Sequence, residues 1–313
     1  MAVGRRSPPR SLLTGGSRSW EHPPGPHRYT GAVRFRKPLF ALLLAGAAAA
    51  VVLPVRSARP PQAPSPWEKL EPGLELGVLT APRRSSQGDS KIHVLRIDPR
   101  HYELRLLNAS APGQGEALTA REWSRKHKLV AAINASMYVQ DNLTSVGLMR
   151  TRAHVNNPRL TRDKAVLAFD PRSPGMPPVK LIDRGCDDFD AWKTHYSTFV
   201  QSIRMVSCKG ENVWAQGGQE WSIAAVGVDR KGRLLFIHSR SPYTPHDLIE
   251  NLLSLPLGLA GAMYVEGGPE AQLYVHSGGR EVEQVGSRGT SLFDGGDNQR
   301  AWPVPNVIGV VRR

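Results

Sequence analysis

The sequence predicts an α+β fold, with a mixed, largely antiparallel β-sheet core and a few dispersed helices. Three observations carry that expectation. Short segments rich in strand formers greatly outnumber helical ones. The two clear helix starts, at Thr119 and Thr244, lie far apart, so the helices are interspersed among strands. Gly (30) and Pro (26) are abundant in a chain of 313 residues that is 40% hydrophobic, which fits a loop-rich sheet protein better than a helical bundle.

The N-terminal part reads as an export apparatus. Residues 1–37 lack periodicity, are rich in Pro, Gly, Ser and Arg, and are expected to be a disordered basic arm on the cytoplasmic side. Residues 38–55 (PLFALLLAGAAAAVVLPV) form an apolar run directly preceded by Arg34, Arg36 and Lys37, the pattern of an export signal. The uninterrupted stretch Leu39–Leu53 is 15 residues long, against the ~17–25 that a spanning helix needs. Both a cleaved signal peptide and a signal-anchor holding the protein to the membrane therefore stay open. Positive charge before the run puts the body outside the cytoplasm, membrane-anchored or secreted. Residues 56–72 are expected to be an extended Pro-rich linker, and residues 73–313 the globular domain.

Within that domain, Leu74–Thr80, Lys91–Asp98 and Tyr102–Asn108 alternate or concentrate strand formers. Thr119-Ala-Arg-Glu122 is a capping box, which predicts a helix from Ala120 to about Lys128. Leu129–Ile133 is a short continuous apolar run, read as a buried strand. Further strands are expected at Ser145–Thr151, Lys164–Asp170, Thr198–Val206, Ile223–Asp229 and Arg233–Ser239, the last two joined at Arg230-Lys231-Gly232. Thr244 as N-cap, Pro245 at the first helical position and Asp247 in the first turn predict a second helix, ending near Pro256. Ala262–Val265, Gln272–Val275 and Val307–Val311 complete the sheet.

The formal net charge of +14 raises nucleic acid as a partner, and the distribution of charge argues against it. Residues 1–59 carry ten Lys/Arg and one acid, a net of +9. The other 254 residues carry 31 Lys/Arg and 26 Asp/Glu, a net of +5. Most of the excess thus lies in the arm and not on a folded face. Cys186 and Cys208 both fall in the exported part. An oxidising compartment favours their pairing as a disulfide, with two separate buried thiols as the alternative. Two cysteines without a His pair make no zinc site, and no metal or cofactor is expected.

Two apolar strands break into small and polar residues. One opens into Asn134-Ala135-Ser136-Met137-Tyr138, the other into Glu266-Gly267-Gly268-Pro269-Glu270. Such strand ends admit close approach of a ligand or of another backbone, and also occur as ordinary tight turns. Glu266 and Glu270 form a carboxylate pair of the kind that breaks glycosidic bonds; as bare sequence they read first as two solvated acids. Asp294, in Asp294-Gly295-Gly296-Asp297-Asn298, is a third acidic candidate. That stretch lacks the regular ligand ladder of a calcium loop. Arg150, Arg204 and Arg300 are candidates for phosphate, which a guanidinium matches with forked hydrogen bonds, and His238 is a candidate proton carrier. No nucleophile elbow, Lys-Ser/Thr phosphate loop or His-Glu-x-x-His is present.

Taken in order, these pieces resemble the phosphodiester glycosidase family over about Leu76–Val311. The resemblance rests on Ala131-Ala132-Ile133-Asn134-Ala135-Ser136-Met137-Tyr138 with Ser145-Val146-Gly147-Leu148, on Val200-Gln201-Ser202-Ile203-Arg204-Met205-Val206, on Ala225-Val226-Gly227-Val228-Asp229, on Val265-Glu266-Gly267-Gly268, and on Arg300 with Val304-Pro305-Asn306-Val307-Ile308-Gly309-Val310. The chain departs from the family in three places. Glu266 stands where an Asp is usual, Ile203-Arg204 where Gly-Pro is usual, and no Arg precedes Val226-Gly227. The resemblance implies an exported hydrolase that cleaves the glycosidic bond of a glycosyl-1-phosphodiester in an envelope or extracellular glycan. A non-catalytic glycan-binding or polysaccharide-assembly protein on the same fold is the alternative. On the hydrolase reading, Glu266 is the carboxylate near the anomeric carbon, with Glu270 or Asp294 as the second. Asn134 orients sugar hydroxyls beside Gly267 and Gly268, and the partner is a phosphate-linked glycan.

Overall fold

In a computed structural model, the structure describes residues 65–287 and 299–313. The export segment, residues 38–55, and Asp294 lie outside the described residues. Among the described residues no helix is long and apolar enough to cross a membrane.

The strands in chain order are β1 (Trp67–Glu71), β2 (Leu74–Thr80), β3 (Lys91–Ile97), β4 (Tyr102–Asn108), β5 (Ala131–Asn134), β6 (Met149–Arg150), β7 (Val155–Asn157), β8 (Ala165–Pro171) and β9 (Val179–Asp183). They continue with β10 (Tyr196–Ser202), β11 (Arg204–Val206), β12 (Trp221–Asp229), β13 (Leu234–Tyr243), β14 (Leu259–Gly267), β15 (Gln272–Ser277), β16 (Arg280–Val285) and β17 (Asn306–Arg312). Helices α1 (Ala120–His127), α2 (Phe189–Trp192) and α3 (Pro245–Ser254) are interspersed.

Three antiparallel sheets result. The largest runs β1-β2-β3-β13-β12-β14-β11, and the two others run β7-β6-β10-β8-β9 and β16-β15-β5-β17-β4. All three contribute to one main core, where Leu95, Phe236 and Met263 of the first sheet meet Leu167 and Val200 of the second and Ile133, Leu273 and Ile308 of the third. A second core lies on the other face of the large sheet, under α3, with Leu248, Ile249 and Leu252 against Ile223, Ala225 and Ile237.

Local chemistry explains the helices. The Thr119 hydroxyl accepts from the Glu122 N–H and the Glu122 carboxylate accepts from the Thr119 N–H, the reciprocal pairing of a capping box. Lys128 ends α1 in the left-handed conformation. Thr244 caps α3 on the Asp247 N–H, with Pro245 at the first position. The chain enters the large sheet already at Trp67, within the segment read as linker. Trp67 does so because its ring stacks under the Arg96 guanidinium, 3.3 Å away. The segment read as one strand over Thr198–Val206 is two strands in different sheets. Ser202 is paired with Ala165, and two residues later Arg204 is paired with Met263.

Candidate active site

The two apolar strand ends singled out above belong to different sheets, and the turn Gly268–Glu270 joins them. Asn134, at the end of β5, donates through Nδ2 to the Glu270 carbonyl (2.8 Å) and accepts at Oδ1 from the Gln272 N–H (2.7 Å). The side chain is buried, and both ends of its amide hold the backbone that carries Glu270. Glycine is required twice here. Gly268 has φ +66, a left-handed conformation that a side chain disfavours. At Gly267 a side-chain carbon would collide with the Tyr264 hydroxyl and the Trp221 indole.

His238 supports the same turn from beneath. It is fully buried in β13, and its Nε2 lies 3.2 Å from the Ala271 carbonyl. A carbonyl only accepts, so Nε2 carries the proton, and Nδ1 is buried without a partner. Burial, with a smaller contribution from the facing His93, holds the imidazole down to about 3. It is therefore neutral at physiological pH and positions the backbone.

The two acids flank this turn, Glu266 near the end of β14 and Glu270 as the last turn residue. Glu266 is paired across the ladder with Ala224, and Gly267 with Ile223, so no cation faces the carboxyl from β12. Burial pushes Glu266 up to about 8, with Glu270 adding repulsion, although the Gly267 N–H donates to its Oε1 at 3.0 Å. Two phenols feel the same charges. Tyr138, four residues beyond Asn134, is pushed up to about 12 by burial and by Glu270 and Glu266. Tyr264 is raised by burial and by the same two acids, and accepts a hydrogen bond from the Trp221 indole at 3.1 Å. The arrangement combines a carboxylic acid that keeps its proton near neutral pH, a second carboxylate, and aromatic surface. Such a combination can hold a sugar ring and move a proton at its anomeric oxygen.

The sequence candidates therefore divide. Asn134, Glu266, Gly267, Gly268 and Glu270 come together, with His238 beneath them. Arg204 is bound elsewhere. Its Nη1 meets both oxygens of Asp183 (2.7 and 2.9 Å), in a groove lined by Asp183, Cys208 and Trp192 that includes neither Glu266 nor Glu270. Arg150 lies on β6, paired with Phe199 on the outer face of the second sheet, its Nε buried without a hydrogen-bond partner. Arg300 is exposed and lies two residues before Trp302, whose carbonyl accepts from Gln272 Nε2 at 2.6 Å. The chain thus returns to the body beside the Asn134–Gln272 contact.

Cys186 and Cys208 form a disulfide. Together with Asp183 they are a three-residue group with metal-ligand spacing, but sulfurs bonded to each other offer no thiolate to a metal. Tyr138, Tyr264 and Trp221 were not among the sequence candidates. Their signal was present, because each aromatic falls within a few residues of a strand end that carries a polar side chain.

The sequence profile of the phosphodiester glycosidase family matches residues 127–311, which contain every one of these elements. Among curated proteins none is significantly similar in sequence. Among solved structures, the zebrafish N-acetylglucosamine-1-phosphodiester α-N-acetylglucosaminidase catalytic domain, described as auto-inhibited by its pro-peptide, superposes with a TM-score of 0.55 at 13% identity. The match covers 80% of this chain and 87% of that one. A hypothetical protein from Synechocystis gives a TM-score of 0.53 at 15% identity over 80% of this chain. The present chain spans only 64% of the Synechocystis protein's length. At these identities the likeness is one of fold.

Proposed function

From the premise that the chain belongs to the phosphodiester glycosidase family, we propose that it hydrolyses the sugar–oxygen bond of a glycosyl-1-phosphodiester in an envelope or extracellular glycan. The observation that carries this reading is the pair Glu266–Glu270 at the joined strand ends, with Glu266 held protonated to about pH 8. Protonated Glu266 serves as the acid toward the bridging oxygen, and Glu270 serves as the base for a water molecule. Water adds to the anomeric carbon, the carbon–oxygen bond breaks, and its electron pair leaves with the phosphate. The products are a free sugar and a phosphate monoester. A phosphate is a good leaving group, so a single weak acid suffices. Tyr138 and Tyr264 flank the sugar, and Asn134 and His238 keep the turn in register. Arg300, at the return of the chain beside Gln272, is assigned to the phosphate. The disulfide fits an oxidising compartment outside the cytoplasm, and the apolar segment 38–55 is proposed as the export signal or anchor.

The test is release of reducing sugar from a panel of glycosyl phosphodiesters, comparing wild type with Glu266→Gln. Turnover by the wild type and its loss in the variant support the reading. No release from any member of the panel, with the two proteins indistinguishable, would sink it. One observation favours a second reading, a non-catalytic glycan binder: β12 presents Ile223 and Ala224 to Gly267 and Glu266, where the family has an Arg nearby. Saturable binding of a phosphoglycan without turnover would decide for that reading.

A further inference from the structure

We propose that the segment 158–164 together with Arg184 forms a second anion-binding groove, which takes the phosphate-bearing chain of a polymeric glycan away from the carboxylate pair. The identity of the polymer rests on the phosphodiester reading above; the charge of the groove does not.

Arg159, Arg162, Lys164 and Arg184 line an open groove of about 760 Å³, together with Thr161, Leu160 and a single acid, Asp163. Four cations against one acid leave a net of +3 in one lining, whereas residues 60–313 as a whole carry only +5. Asp163 is turned onto the Thr161 hydroxyl (2.8 Å). Among the described residues Arg159, Arg162 and Lys164 form no ion pair, and all three are exposed.

The groove is built rather than incidental. Gln201, fully buried, accepts at Oε1 from the N–H groups of Leu148 and Thr161 (3.0 Å each). It donates through Nε2 to the carbonyls of Thr161 (3.2 Å) and Asp163 (2.8 Å). Arg184 donates to the same two carbonyls, at 2.6 and 2.9 Å. The loop is therefore fixed before a ligand arrives, which lowers the ordering cost of binding. The same Gln201 accepts from Ser136 at its carbonyl (3.0 Å), and Ser136 lies between Asn134 and Tyr138. One buried residue thus supports both the strand end of the candidate active site and the basic loop.

The other basic cavity, near α1, lacks this character. Its Arg125 lies 3.9 Å from Glu281, and its Arg312 is 2.5 Å from Glu71. Unneutralised cations spaced along an open groove on a fixed backbone match the repeating charge of a phosphodiester chain better than they match one small ligand.

The test uses the full chain and labelled poly(glycerol phosphate), followed by fluorescence anisotropy. The variant Arg159→Gln/Arg162→Gln/Lys164→Gln is compared with Arg125→Gln/Lys128→Gln in the other cavity; the basic residues 1–59 are common to both. The first variant is expected to bind about ten-fold more weakly, with a shallower salt dependence, because three exposed cations no longer meet the polymer's phosphates, while the second binds as the wild type does. Both should melt as the wild type does. Equal binding by the groove variant and the wild type overturns the proposal. So does wild-type binding to phosphatidylglycerol vesicles or duplex RNA as tight as its binding to the polymer. A wild type that hydrolyses no glycosyl phosphodiester would remove the proposed activity, and the anisotropy result would still decide the groove.

Discussion

Glu266 and Asp183 are both acids at strand ends, both largely withdrawn from water, and they titrate in opposite directions. Burial alone would raise Asp183, but the N–H groups of Gly185 (2.8 Å) and Cys208 (2.9 Å) and the Arg204 guanidinium outweigh it and hold the carboxyl below its usual range. Glu266 meets one N–H, from Gly267, and an unfavourable neighbour in Glu270, so burial wins and its carboxyl rises to about 8. The difference lies in the partners. An acid met by a cation and two N–H groups is set up to hold structure. An acid left protonated near neutral pH has a proton to give.

The largest expected effect breaks the first half of that contrast. Glu266→Gln should lower turnover of a glycosyl phosphodiester by roughly 10²–10⁴-fold, the usual contribution of a general acid, with no loss of melting temperature; steady-state kinetics with a melt checks both. Asp183→Asn should do the reverse, sparing turnover while costing about 2–3 kcal/mol through the stranded Arg204 charge, as read by urea denaturation. Replacing both Cys186 and Cys208 by Ser removes a cross-link between the segments that follow β9 and β11 and should cost roughly 3 kcal/mol in the same assay. Asn134→Ala leaves the Gln272 N–H and the Glu270 carbonyl without their partner. It should cost about 1–3 kcal/mol and also lower turnover, because the turn that carries Glu270 loosens.

The pH dependence separates the two acids by its sign. Glu266 binds its proton more tightly in the folded state. Its contribution to stability is therefore greatest below the ordinary carboxyl value of 4.5 and is lost as pH rises toward about 8. Asp183 binds its proton less tightly when folded, so its contribution is present at neutral pH and is lost as pH falls through the acid range. Denaturation midpoints between pH 5 and 9 should slope downward with pH in the wild type and flatten in Glu266→Gln; an unchanged slope would remove the assignment.

Local patterns in the sequence carried much of the fold. The ends of β2 and β4 follow from alternation and flanking turns, and the caps of α1 and α3 follow from hydroxyl and acid spacing. What local patterns cannot carry is pairing. The run Thr198–Val206 keeps strand-like residues across Ile203, yet the chain changes sheets there, and nothing in its periodicity marks the crossing. Strand β16, Arg280–Val285, escapes such patterns because its charged, half-buried sequence is that of an edge. At the site, the joining of Asn134 to the Glu270 turn needed the three-dimensional ladder. So did the removal of Arg204 to Asp183, since a lone Arg three residues after Gln201 gives no hint of its partner. Tyr138 and Tyr264 stood beside residues already singled out, and their role needed only the proximity that folding supplies.

The most direct measurement is a carbon-13 NMR titration of the Glu266 side-chain carboxyl, assigned by its absence in Glu266→Gln. The resonance is expected to move with a midpoint near pH 8, together with the alkaline limb of the hydrolysis profile. A midpoint near 4.5 would mean that Glu266 is an ordinary solvated acid with no proton to deliver at neutral pH, and the catalytic role assigned to this strand end would be wrong.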